Sequence, residues 1–185
     1  MGMLLAFAPF VVFVIVERAI GVAAGLFAAT AVSVAILARD TLIQRKSPKI
    51  LEVGTFLLFG WLAVYALTAG TDLPIFGVRL LVDAGLLVIV LASIALRRPF
   101  TLQYAREQVA RELWDHPGFI QTNYVITAAW ALAFAVMVAA DLAMLYLADM
   151  PKWVGVAVTV GTIVGAGRFT QWYPEHRRAA LAASS

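Results

Sequence analysis

The chain has 185 residues, of which 63% are hydrophobic and 14% charged, with a net charge of +3. Soluble domains do not have that composition, and the length suits a single integral-membrane domain, residues 1–185, made almost wholly of apolar segments. Without cysteine there can be no disulfide, thiolate metal site or cysteine nucleophile.

In a soluble protein the basic surplus would point to nucleic acid. Here the cations sit at the ends of apolar runs, where bilayer orientation and lipid headgroups account for them. Membrane lipids are therefore the expected partner, and nucleic acid is not.

The first apolar run, residues 3–16, lacks a positively charged beginning, carries Pro9 and leads straight into a second apolar segment. It reads as retained, not as a cleaved signal. Glu17 and Arg18 interrupt before the apolar residues resume. One straight helix over residues 3–38 would be about 54 Å long, against a hydrocarbon core of about 30 Å. The chain must turn back near residues 17–21, giving spans at about 3–17 and 20–38. The first is short enough to be a tilted span, a re-entrant piece or an interfacial helix.

Residues 39–49 form a basic connection broken by Pro48. A third span runs over 51–68, then a tight loop at 69–76 with Gly70, Asp72 and Pro74, then a fourth span over 77–96. In the next segment, 100–114, Leu102, Ala105, Val109 and Leu113 recur at helical spacing while Arg106, Glu107, Arg111 and Glu112 fall elsewhere on the wheel. That pattern predicts an amphipathic helix, with Glu107 and Arg111 as an i,i+4 pair and Trp114 at headgroup level. Asp115 to Gly118 end it. Thr122 or Asn123 caps a fifth span over 122–147, Met150 and Pro151 mark a turn, and a sixth span covers 153–167. The tail, 168–185, reads as polar and basic at first, then small and frayed. A short echo links Arg98-Pro-Phe-Thr-Leu-Gln-Tyr with Arg168-Phe-Thr-Gln-Trp-Tyr-Pro, which reads as similar interfacial chemistry, against the alternative of a parallel internal repeat such as some transporters show.

This layout places eleven of the fourteen basic residues on one side and leaves Arg18, Arg79 and Lys152 on the other. By the positive-inside rule the arginine-rich side is cytoplasmic and holds both termini; if the first segment does not cross, the N-terminus changes side. The expected fold class is all-α: a polytopic membrane helical bundle of six transmembrane helices, or five, with one cytoplasmic amphipathic helix.

Asp141 lies well inside the fifth apolar run. It is either an intramembrane functional acid or a carboxylate solvated at the outer end of a tilted helix. Arg79 and Asp83, at i,i+4, either neutralise each other or join Glu17, Arg18 and Asp141 in a polar cavity. On the basic side, Arg97, Arg98, Phe100, Tyr104, Arg106 and Trp114 form a candidate lipid or partner contact, against the plainer reading of a topology signal. His116 and His176 have no metal-ligand spacing. Gly161, Gly165 and Gly167 suit close helix packing, or a homo-oligomer contact. Hydroxyls in the spans, such as Thr55 and Thr127, are expected to bond back to the backbone. No nucleophile–base pair, phosphate-binding loop or metal set can be assembled, so no catalytic, cofactor or metal residue is assigned.

Ala8-Pro9-Phe-Val-Val-Phe, Arg97-Arg98-Pro99, Trp130-Ala131 with Phe134, and Tyr173-Pro174 among basic neighbours together resemble the intracellular septation protein A family, the inner-membrane protein YciB. The likeness runs along nearly the whole chain. The sequence departs from the family over 106–119, in the distance from Asn123 to Trp130, and in carrying Asp rather than Asn at 141. The resemblance implies a diverged, non-enzymatic inner-membrane protein of envelope homeostasis or cell division, acting through lipids or through envelope or division proteins. The competing expectation is a small transporter or lipid-handling protein whose path is lined by the five outer charged residues.

Overall fold

The computed structural model describes residues 5–69, 75–147 and 151–183, with side chains also left undescribed at 69, 75, 76, 152 and 178–183. The expected loop at Gly70, Asp72 and Pro74, and Met150 of the expected turn, lie outside the described residues. Seven α-helices and no strand occur among the described residues. They are α1 (Ala8–Ala19), α2 (Val22–Ala38), α3 (Ile50–Ala69), α4 (Ile75–Ala95), α5 (Phe100–Arg106), α6 (Pro117–Tyr146) and α7 (Lys152–Ala183). A π-helical turn, Arg39–Ile43, extends α2, and a 3-10 turn, Arg111–Leu113, precedes α6. The class is that of a polytopic membrane helical bundle.

Among the described residues five stretches are long and apolar enough to cross a membrane: Val22–Ile43, Ile50–Thr68, Gly77–Ala95, Pro117–Tyr146 and Trp153–Arg177. The first apolar segment is not among them. With 12 residues, α1 is about 18 Å long, well short of the hydrocarbon thickness.

By compactness the chain divides into two units, Met1–Ile89 and Val90–Ser185. In the first, Pro9 occupies the opening turn of α1, where its missing N–H costs nothing. Gly21, at φ 133°, makes the turn into α2 in a conformation closed to other L-residues. The two helices then lie very close. A Cβ on Gly25 would stand 3.0 Å from the Phe13 carbonyl oxygen and 3.1 Å from the Glu17 nitrogen. The core of this unit joins Phe13, Leu26, Ala29, Phe59, Leu62 and Val82, with the Phe59 ring centroid 5.0 Å from Phe10 and 5.8 Å from Phe13. Lipid tails are as apolar as leucine, so shape and close approach hold these helices together more than transfer from water does.

In the second unit the end of α4 is closed by a Schellman motif. The Arg98 N–H donates to the Ser93 carbonyl and the Arg97 N–H to that of Ile94, both at 2.9 Å. Arg97 takes the left-handed position at φ 57°, where glycine is usual. Ser93 Oγ accepts the Phe100 N–H at 3.2 Å and donates to the Val90 carbonyl at 2.7 Å, so it fixes the start of α5. Thr101 docks α5 on α6, donating to the Asn123 carbonyl at 2.9 Å and lying 2.7 Å from Thr127 Oγ1.

α6 and α7 run antiparallel in one register. Trp130 Nε1 donates to Thr170 Oγ1 at 3.0 Å, and Arg177 donates to Gln121 Oε1 at 2.6 Å and to Thr122 Oγ1 at 3.2 Å. At 30 and 32 residues, these helices are about 45 and 48 Å long, more than a bilayer core requires.

Several expectations change. The expected sixth span does not stop at Gly167: α7 continues through the polar part of the tail to Ala183, with Pro174 inside it. α6 starts at Pro117, five residues before the expected span, and its cap is His116, whose Nδ1 accepts the Gly118 N–H at 3.2 Å. Thr122 and Asn123 bond back to the carbonyls of Gly118 and Phe119. Gly161, Gly165 and Gly167 have open space where a Cβ would stand, whereas at Gly25 the neighbouring backbone itself is the close contact. Thr127 bonds across to Thr101, and Thr55 Oγ1 has no hydrogen-bond partner among the described residues.

The close pairing of α1 and α2 gives a test. Gly25→Val should force the two backbones apart and cost about 1–3 kcal/mol, as overpacking does. Thermal unfolding of the purified protein in detergent measures it, with Gly161→Val as a control that leaves the midpoint within error.

Candidate functional site

The amphipathic helix expected over 100–114 does not form as one element. α5 stops at Arg106, and the chain turns through residues 107–110 before the short 3-10 turn. The reason lies in Trp114. Its Nε1 donates to the Arg106 carbonyl at 3.0 Å, and the guanidinium carbons of Arg106 and Arg111 each lie 5.5 Å from its ring centroid. Arg106 also reaches Asp115 Oδ1 at 3.4 Å. Two cation–π contacts and a capped carbonyl replace the turns a continuous helix would have made. Glu107 and Arg111 therefore do not share a helix, and Leu113 is exposed, not part of an apolar stripe.

The candidate lipid or partner residues separate accordingly. Arg97 and Arg98 are exposed at the end of α4. Phe100 and Tyr104 are buried, which removes them from any headgroup contact. Arg106 and Trp114 are half-buried and engaged with each other.

The five candidate cavity residues come from both units. Glu17, Arg18, Arg79 and Asp83 belong to the first unit and Asp141 to the second. Arg18 is exposed, Glu17 and Arg79 are half-buried, and Asp83 is buried. Asp141 is only 3% exposed, so it is not a carboxylate simply solvated at a helix end. Among the described residues no group of three or more His, Asp or Glu is arranged to hold a metal.

A different set of charges converges. Val22 to Ala38 form a regular helix, and the next residues widen into the π-turn, where the Gln44 N–H donates to the Arg39 carbonyl and the Lys46 N–H to that of Asp40, both at 2.9 Å. The extra residue in a π-turn rotates the chain beyond it relative to the helix before it, and such turns recur at functional sites. Here the turn accompanies the burial of Asp40. Arg39 donates to Asp40 Oδ1 from Nε at 2.9 Å and from Nη2 at 2.6 Å. Lys49 Nζ donates to Asp40 Oδ2 at 3.2 Å and to Glu52 Oε1 at 3.0 Å. The side chains of Asp40, Lys49 and Glu52 are 3–6% exposed, whereas that of Arg39 is 40% exposed.

Two carboxylates, an ammonium and a guanidinium thus make a neutral chain that closes the α2–α3 connection. Each buried charge has an opposite charge in contact, which is the condition for keeping it out of water. Reading the sequence alone treats Arg39 and Lys49 as topology signals and misses the cluster. The signals for it are nonetheless present: Asp40 is the one acid in a basic connection, and Lys49 and Glu52 are three residues apart at a helix start.

The chain matches no family model, no curated protein and no solved structure.

Removing the central ammonium should be the costly change. Lys49→Met leaves Asp40 and Glu52 buried without it and should cost about 3–5 kcal/mol, read as a lowered unfolding midpoint in detergent. The triple variant Asp40→Asn, Lys49→Met, Glu52→Gln should recover most of that loss. Arg39→Gln, at the solvated end, should cost less than about 1 kcal/mol.

Proposed function

We propose that this protein is a non-enzymatic component of the bacterial inner membrane, a diverged relative of the septation protein A family, serving envelope homeostasis or cell division through lipid and protein contacts. The observation that carries the reading is the exposed Arg97–Arg98 pair at the end of a spanning helix, on the side where eleven of the fourteen basic residues fall. In this orientation that side and the C-terminus are cytoplasmic. In this reading α1, with 12 residues, stays with the outer half of the membrane. The likeness at Ala8-Pro9, Arg97-Arg98-Pro99 and Trp130-Ala131 supports the family and its envelope role.

A second reading, a small transporter, is favoured by the burial of Asp83 and Asp141 within helices of spanning length. Ionisable groups at that depth often mark a transport path.

Variants separate the two. In a bacterial host made dependent on this chain, Arg97→Gln with Arg98→Gln should lengthen or leak cells, while Asp83→Asn and Asp141→Asn should support normal division. The opposite pattern, with solute flux into proteoliposomes lost in the aspartate variants, would establish the transporter and end the first reading. Arg97→Gly isolates charge from backbone. It relieves the left-handed conformation, so it should stabilise the protein by about 1 kcal/mol, and it should still impair division.

A further inference from the structure

The end of α4 presents an apolar flank and, directly beyond it, two cations. Leu91, Ala92, Ala95 and Leu96 are exposed on its last turns, Leu91 at 49% and Leu96 at 65%. Gly77–Ala95 is a stretch of spanning length, so this flank faces acyl chains. Arg97 and Arg98 follow at once and are exposed as well. Among the described residues neither guanidinium makes an ion pair or a side-chain hydrogen bond. No acid occurs in the sequence between Asp83 and Glu107.

The pair is held in place. The Arg97 and Arg98 N–H groups donate to the Ile94 and Ser93 carbonyls, Ser93 Oγ accepts the Phe100 N–H, and Pro99 and Phe100 are buried directly after. Both arginines therefore leave the helix at a fixed point, just past the apolar span, where acyl chains give way to phosphates. A guanidinium fork matches the oxygens of a phosphodiester. Two such forks side by side favour a ligand of net negative charge. An acidic protein surface would match the charge but would not account for the apolar flank, whereas a phospholipid matches both.

We infer that Arg97 and Arg98 hold the headgroup phosphate of an anionic phospholipid whose acyl chains lie along Leu91, Ala92, Ala95 and Leu96. The inference rests on the reading of that pair as a membrane contact and narrows it to one class of ligand. It does not depend on any role in division.

The test uses the full chain purified in detergent and titrated with phosphatidylglycerol or phosphatidylcholine, the first bound lipid being counted by native mass spectrometry. Phosphatidylglycerol should bind in preference. Arg97→Gln with Arg98→Gln should weaken it about 25-fold, roughly fivefold for each charge removed. Arg97→Lys with Arg98→Lys should keep the preference at reduced affinity. Arg45→Gln with Arg168→Gln removes two exposed cations elsewhere and should leave the affinity unchanged. All four arginines are exposed, so circular dichroism and the unfolding midpoint should match the parent protein. Equal binding of the two lipids, unchanged binding by the first glutamine pair, or equal weakening by the second would overturn the inference. So would displacement of the lipid by equimolar glycerol 3-phosphate, which would make the surface a phosphate site. Division is scored beside binding. Impaired division without a lipid preference would point to an acidic protein partner and overturn the lipid assignment alone. Selective lipid binding with normal division in the glutamine pair would uphold the lipid and end the division reading.

Discussion

A polar atom in hydrocarbon has no water to turn to, and most of the polar contacts in this chain answer that constraint. The backbone answers it by being helical along each spanning stretch. Hydroxyls answer it locally: Thr30, Ser33, Thr41, Thr159 and Thr162 each donate to a carbonyl four residues back at 2.7–2.9 Å. Charges cannot be satisfied so cheaply. Asp40, Lys49 and Glu52 need one another, and they need the π-turn that accompanies Asp40's inward placement. The turn between α2 and α3 is therefore shaped by electrostatics more than by loop propensity.

The same constraint explains where the second unit spends its long-range hydrogen bonds. Thr101 and Thr170 come from the two related segments, Arg-Pro-Phe-Thr and Arg-Phe-Thr, and both meet α6: Thr101 at Asn123 and Thr127, Thr170 at Trp130. A threonine placed after an arginine and a phenylalanine at the end of a span thus serves twice as a docking hydroxyl. The echo is a shared packing solution, and interfacial composition alone does not account for it. Arg177 adds a terminal latch on Gln121 and Thr122, which explains why the segment after Arg168 stays helical despite its polarity.

Spans are legible in the sequence because hydropathy reports a single dominant energy, that of placing backbone and side chains in oil. The ends of α3 and α4 fall within a residue or two of expectation. The features that escape such a reading are decided by contacts between residues distant in sequence or by competition within a turn. The helical period at Leu102, Ala105, Val109 and Leu113 is real, yet Trp114 folding back between Arg106 and Arg111 outweighs it. Histidine is not a usual cap, so His116 gives no warning that α6 begins where it does. Of the candidate site, the exposure of Arg97 and Arg98 can be read from their position after a span. The burial of Phe100 and Tyr104 cannot, since it depends on Ser93 and Thr101 fixing α5.

The basic residues on the arginine-rich side do not form one class. Lys49 is buried between carboxylates, Arg39 is tied to Asp40, Arg106 clasps Trp114, and Arg177 latches two helices. Each still counts toward orientation, because insertion reads charge before tertiary contacts form. After folding, however, each is committed to the structure, and replacing it perturbs the fold along with any surface property. Arg45, Arg97 and Arg98 differ in being exposed on short connections. Two of them, Arg45 and Arg97, occupy left-handed backbone positions that a glycine would fill at lower cost. At those two positions the backbone cost of a side chain is accepted, so backbone geometry alone does not account for the residue found there.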